Sequence, residues 1–233
     1  MKGLRKALGI LLLDTKFPRI PGDVGNPKSY SFPVLLKVVP AATVSRVVLS
    51  FDRSLVDVFK QSARELVEQG AVAITTSCGF LSILQADIAQ SVTVPVFLSS
   101  LIQIPLAYSI TRRRIGVLTA HSEKLTEEVF RRAGVSDHIP LAIRGLEDIP
   151  EFKKTILDGE PHLDKEVLER EIVNSACQLV KEHPDIGCFV LECHNLAPYS
   201  QAIQRSTQLP VLDIIDFAEY VYSMVVKRDY PPN

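Results

Sequence analysis

Ser62-Ala63-Arg64-Glu65-Leu66-Val67 runs to Gly70, then into Val72-Ala73-Ile74-Thr75, and Cys78 follows. A second stretch repeats the order. Ser175-Ala176-Cys177-Gln178-Leu179-Val180 precedes Cys188-Phe189-Val190-Leu191, and Cys193 follows. Each time an amphipathic helical segment leads to a short apolar run and then to a cysteine. Seventeen positions beyond each cysteine stands a proline, in Val94-Pro95-Val96 or Leu209-Pro210-Val211. A single identity would be noise. The ordered set at matched spacing points to two similar α/β halves.

The flanking sequence extends this alternation. Near-continuous apolar runs predict strands over 8–13, 43–49, 72–75, 94–97, 115–119, 188–191 and 211–213. Parallel strands covered on both faces read this way. Helices are expected over 54–69, 81–89, 122–133, 165–182 and 213–227. In the first, Leu55, Val58, Phe59, Ser62, Leu66 and Gln69 share one face, and Gly70 is a stop signal. The fold class is therefore α/β with mainly parallel sheets. Ile115-Gly116-Val117-Leu118-Thr119 echoes Leu8-Gly9-Ile10-Leu11-Leu12, so the second half begins near Arg112-Arg113-Arg114. Those arginines read as a solvated junction rather than an anion site.

The chain has 233 residues, of which 46% are hydrophobic and 23% charged. That apolar content excludes a disordered chain. With 26 basic and 27 acidic residues, no general attraction to nucleic acid or an anionic membrane follows. The apolar run after Lys6 meets Asp14 at once, so it reads as a buried strand rather than a leader peptide. No apolar stretch approaches the ~20 residues that span a bilayer. A soluble cytoplasmic protein with reduced thiols is the expectation. Four cysteines are too few for a disulfide scaffold.

Cys177 falls mid-helix and Cys188 inside a strand, as small core residues do. Cys78 and Cys193 differ. Both are expected beyond the carboxyl ends of strands, where ligands bind in open α/β sheets. Each also precedes a helix, whose dipole favours a thiolate. If the halves face each other, the two thiols flank one cleft. That geometry suits proton removal from one face of a carbon and delivery to the other.

Ala73-Ile74-Thr75-Thr76-Ser77-Cys78-Gly79 and Val190-Leu191-Glu192-Cys193-His194-Asn195, with their Pro-Val strands, resemble the aspartate/glutamate racemase superfamily over most of the chain. The resemblance implies two pseudo-symmetric three-layer α/β domains with the active site at their interface. It implies domains at 1–110 plus 211–233 and at 111–210, the last strand and helix returning to the first. It also implies racemisation or epimerisation without a cofactor, with Cys78 and Cys193 as acid and base beside a carboxylate. The partner would be a small carboxylate substrate, with a homo-oligomer as an open option.

The motifs also differ from the familiar members. Gly79-Phe80 stands where aspartate and glutamate racemases have Asn-Thr, and Glu192-Cys193-His194-Asn195 where glutamate racemase has Gly-Cys-Thr-His. These differences point away from free glutamate or aspartate. The superfamily also includes hydantoin racemases, maleate isomerases and arylmalonate decarboxylases, the last keeping only the second cysteine. A non-catalytic binding protein on the same scaffold is the non-enzymatic alternative.

The candidate substrate-binding set is Asp14, Thr76, Ser77, Gly79, Thr119, Ser122, His194 and Asn195. Asp14 ends the first strand, where glutamate racemase has an Asp-Ser pair. Thr76 and Ser77 can bind a carboxylate or cap a helix, and Thr119 and Ser122 hold the corresponding strand end. Histidine ordinarily titrates near neutrality, so His194 is a candidate to act on Cys193 or the substrate. Glu192 is left outside, because strand alternation turns its side chain away from Cys193. The Pro/Gly-rich stretch 16–27 reads as a substrate-covering loop or a plain connection. His183, Cys188, Cys193 and His194 lack zinc-site spacing, and no dinucleotide or phosphate-loop motif appears. No metal or organic cofactor is expected.

Overall fold

The computed structural model describes residues 6–229. The first sheet contains β1 (Ala7–Leu12), β2 (Val34–Val38) and β3 (Ala71–Thr76) in the order β2-β1-β3. The second contains β4 (Arg114–Thr119), β5 (Leu141–Gly145), β6 (Ile186–Leu191) and β7 (Val211–Leu212) in the order β5-β4-β6-β7. Every pairing is parallel. Helices flank the sheets: α1 (Val56–Glu68), α2 (Gln85–Ala89), α3 (Ile104–Thr111), α4 (Glu127–Arg132), α5 (Pro150–Phe152), α6 (Lys165–Glu182), α7 (Ser200–Thr207) and α8 (Ile214–Val225). Among the described residues no helix is long and apolar enough to cross a membrane.

The central strands form where the sequence is uniformly apolar. β1 and β6 are buried at all six positions. α1 buries Phe59, Ser62, Ala63 and Leu66, a 3–4–7 stripe along one side. It ends at Gly70, whose φ of +102° favours glycine. Phe59 is fully buried, so truncating it to alanine would remove about 3–5 kcal/mol. α6 starts where the Asp164 side chain accepts from the Val167 amide and buries Leu168, Ile172, Ala176 and Leu179. Cys188 lies in the core of β6, where burial pushes its thiol up to about 11. Cys177 is half-buried on α6.

The internal repeat is visible in single hydrogen bonds. The Leu8 amide donates to the Pro33 carbonyl, and the Ile115 amide to that of Pro140, each at 2.9 Å. The Ile74 amide donates to Pro95 and the Phe189 amide to Pro210, at 2.9 and 2.8 Å. Both central pairings shift register at the same place, between Ala7 and Leu8 and between Arg114 and Ile115. Gly9 and Gly116 also match: a methyl there would come within 2.6 Å of Ile74 or 2.8 Å of Phe189.

Several elements differ from the sequence expectation. Residues 43–49 form no strand; Ser45–Leu49 is a wide helical turn that buries Val47 and Val48. The strand flanking β1 is instead β2, delimited by Pro33 and Pro40. β2 and β5 escape the apolar-run criterion because they are edge strands, partly exposed along their length. Residues 94–97 contribute one bridge, Ile74 to Val96, rather than a full strand. β7 pairs with β6 in the second sheet, while α8 packs against β3 of the first. The sequence expectation gave both to the first half.

Candidate active site

Cys78 and Cys193 occupy equivalent positions. Each follows a buried strand, has extended backbone and opens a short 3-10 helix: Gly79–Leu84 runs into α2, and His194–Tyr199 into α7. Both side chains line one cavity at the carboxyl ends of β3 and β6. Both are nearly buried, at 8% and 6% exposure. Burial is the main force raising each thiol above its ordinary value. The negative charge of Glu192 would raise both further. Opposing this, the amides of Phe80 and Leu81 favour the Cys78 thiolate, and the Asn195 amide that of Cys193.

The loop 16–27 covers the cavity. Thr15, Phe17 and Arg19 line it. The Arg19 guanidinium lies 4.5 Å from the centre of the Phe17 ring. Its Nη1 pairs with Asp23 at 3.1 Å and its Nη2 donates to Thr15 Oγ1 at 2.8 Å. Asp23, 3% exposed, also accepts from the Gly25 amide and from Asn195 Nδ2 at 2.9 Å. The last bond ties the loop to the helix after Cys193. Gly22, with φ +94°, sits where a methyl would press within 2.9 Å of Pro198. Phe17, Arg19 and Asp23 were not among the sequence candidates. The visible signal was an Arg–Asp pair four residues apart inside a Pro/Gly-rich loop.

Ser77, Cys78, Gly79, Cys193, His194 and Asn195 all line the cavity. Asp14 does not: it is exposed, and its neighbours Leu13 and Thr15 form the wall. Thr76 is committed to backbone, donating from Oγ1 to the Cys78 and Leu98 carbonyls at 2.9 Å. Thr119 Oγ1 donates to Glu192 Oε2 at 2.7 Å. Ser122 bonds Glu147, outside the cavity.

His194 has both ring nitrogens engaged. The Ser100 amide donates to Nε2 at 3.3 Å, so the proton sits on Nδ1 and is donated to the Thr76 carbonyl at 2.8 Å. Burial lowers its pKa to about 4 and keeps the ring neutral. It is a crossbar between the ends of the two sheets, without a free nitrogen for proton transfer.

Glu192 corrects the alternation argument. β6 ends at Leu191, and Cys193 already turns into the next helix, so both side chains reach the cavity. Glu192 is fully buried. Gly79 makes this placement possible, since a methyl there would lie 2.1 Å from the Glu192 carbonyl oxygen and 2.5 Å from Oε1.

Solved structures share this architecture. A glycine-to-cysteine mutant of arylmalonate decarboxylase in a sulfate-associated form superposes with a TM-score of 0.66 at 16% identity, covering 97% of both chains. Aspartate racemase from Picrophilus torridus gives 0.59 at 11% identity, covering 95% of both. Glutamate racemase RacE1 from Bacillus anthracis gives 0.59 at 12%, covering 97% of this chain and 85% of that one. The fold is that of the aspartate/glutamate racemase superfamily. No protein-family profile matches the chain. Among curated proteins, a dimethylsulfoniopropionate lyase from Durusdinium sp. clade D is 31% identical, covering 92% of this chain and 73% of its own length. Dimethylsulfoniopropionate lyase 3 from Emiliania huxleyi is 35% identical over 90% of this chain, which spans 57% of that protein. The chain belongs to the family of these lyases.

Proposed function

We propose that the chain is a cofactor-independent lyase acting on dimethylsulfoniopropionate or a close sulfonium carboxylate. The observation that carries this reading is the cysteine pair facing one covered cavity, whose cation is Arg19 and whose other walls are largely apolar. Arg19 is placed to hold a carboxylate. Leu13, Val48, Phe80 and Leu157 offer an apolar surface for S-methyl groups. A cysteine thiolate takes a proton from the carbon next to the carboxylate. The C–H electron pair becomes the C=C bond, and the C–S pair leaves with neutral dimethyl sulfide. Acrylate remains, and the new thiol returns its proton to solvent. The bound sulfonium charge offsets the cost of a buried thiolate.

The test measures dimethyl sulfide in the headspace and acrylate by NMR. Cys78→Ser and Cys193→Ser are each expected to lose about 10²–10⁴ of the rate, the usual share of a proton-transfer group. Full activity in either variant removes that cysteine from the chemistry. The matched pair also supports a second reading, racemisation or epimerisation of a small carboxylate. Its mark is solvent deuterium at the α-carbon of a recovered chiral acid, with no C–S cleavage.

A further inference from the structure

Ser77 and Glu192 are equivalent residues with different reach. The Ser77 amide donates to Leu11, and the Glu192 amide to Leu118. Ser77 Oγ accepts from the Leu13 amide at 2.9 Å. Glu192 also meets its own half, accepting from Thr119 Oγ1 at 2.7 Å. Its longer side chain leaves a second oxygen over. Oε1 is buried, lies against Gly79 in the cavity wall and has no hydrogen-bond partner among the described residues. No cation pairs with Glu192 among those residues.

We propose that Glu192 is a neutral carboxylic acid whose Oε1–H donates a hydrogen bond to the substrate's carboxylate and holds the charge that builds there as the α-proton leaves. Oε2 receives the Thr119 hydroxyl, so the acid proton belongs on the unpartnered Oε1. An unpartnered carboxylate at this depth would be costly, and a neutral acid is not. Burial raises the group to about 8, consistent with this state at neutral pH. The titratable and charged neighbours sharing the cavity and its cover are Cys78, Cys193, Arg19, Asp23 and neutral His194. Ionised Glu192 would oppose both a cysteine thiolate and a bound carboxylate. The neutral acid permits both. As to substrate, this role rests on the lyase reading; the acidic state and the carboxylate contact are measurable without turnover.

The experiment titrates acrylate into wild type, Glu192→Gln, Glu192→Leu and Thr119→Val by calorimetry between pH 6 and 9.5. Iodoacetamide labelling of Cys78 and Cys193, read by peptide mass spectrometry, runs alongside and also reports folding through Cys188 protection. Wild type is expected to bind acrylate at pH 6–7 and to lose affinity about tenfold or more above pH 8. Glu192→Gln, which keeps a donor without the charge, should retain binding and lack that alkaline fall. Glu192→Leu should bind at least tenfold more weakly than wild type at pH 6–7 and show no alkaline fall. Thr119→Val removes a donor to the ionised form, so its alkaline fall should move to higher pH. In Glu192→Gln both thiols should label at lower pH, by about one unit. Wild-type acrylate affinity in Glu192→Leu, or identical labelling profiles in wild type and Glu192→Gln, overturns the proposal. Binding as expected but no dimethyl sulfide release overturns the lyase reading and leaves the Glu192 assignment standing.

Discussion

Gly79→Ala places one methyl group where the structure has no room for it. The new carbon would lie 2.1 Å from the Glu192 carbonyl oxygen and 2.5 Å from Oε1, against ordinary contacts of 3.4 Å or more. The two segments must separate there by roughly an ångström. The carbonyl belongs to backbone leaving β6 and yields little. The side chain yields more, at the expense of its Thr119 bond. Overpacking of this kind costs about 1–3 kcal/mol, and the lost hydrogen bond about 1 more. For a domain of this size that lowers the melting temperature by roughly 5–15 °C. Displacing the carboxyl should also reduce kcat by about 10²–10³, as loss of one preorganised donor does. Gly116→Ala is the matched control. It crowds the Phe189 ring at 2.8 Å, away from the cavity. Its stability should fall by a similar amount with kcat preserved. Calorimetric melting and initial rates at 20 °C decide the matter. Gly79→Ala with an unchanged melting temperature and unchanged kcat would refute the packing argument.

The pH dependence of stability should carry two opposed signatures. Glu192 is raised from 4.5 to about 8 by burial, so its contribution is complete below 4.5 and fades as pH rises to about 8. His194 is lowered from 6.5 to about 4, so its contribution is present above 6.5 and fades as pH falls to 4. The two slopes cancel between about 4.5 and 6.5, and stability declines from there to about 8. In urea titrations, Glu192→Gln should abolish the decline above pH 6.5 and expose the rise below it. An unchanged profile would show that Glu192 titrates normally. Arg19→Gln removes the cavity's cation and leaves Asp23 buried without its positively charged partner. A KM increase of about tenfold or more is expected, with a lower melting temperature. Unchanged KM would place the carboxylate elsewhere.

The sequence revealed the parts of the fold whose burial is complete. β1, β3, β4 and β6 are almost wholly buried and nearly all apolar, so a run of aliphatics located them. β2 and β5 are edges, and one exposed side breaks the run. Residues 43–49 misled because an apolar stretch has no inherent period; Val47 and Val48 bury themselves from a turn as readily as from a strand. The cysteines were found because a repeat marked them. The residues around them were harder. Alternation excluded Glu192, yet it applies only while the strand lasts, and β6 stops one residue earlier. Arg19 and Asp23 join the site only after the loop folds across it, and no local pattern encodes that closure.

The contact between Gly79 and Glu192 also makes two distant positions of the chain a single unit. The halves share the strand orders β2-β1-β3 and β5-β4-β6 and the same proline acceptors, yet their site walls differ in complementary directions. One has a serine before its cysteine and a glycine after it; the other has a glutamate before and a histidine after. The bulk of the glutamate occupies the space that the glycine leaves open. With the glutamate in place, a side chain at position 79 has no room unless the other half gives way. A redesign of this wall therefore has to change positions 79 and 192 together.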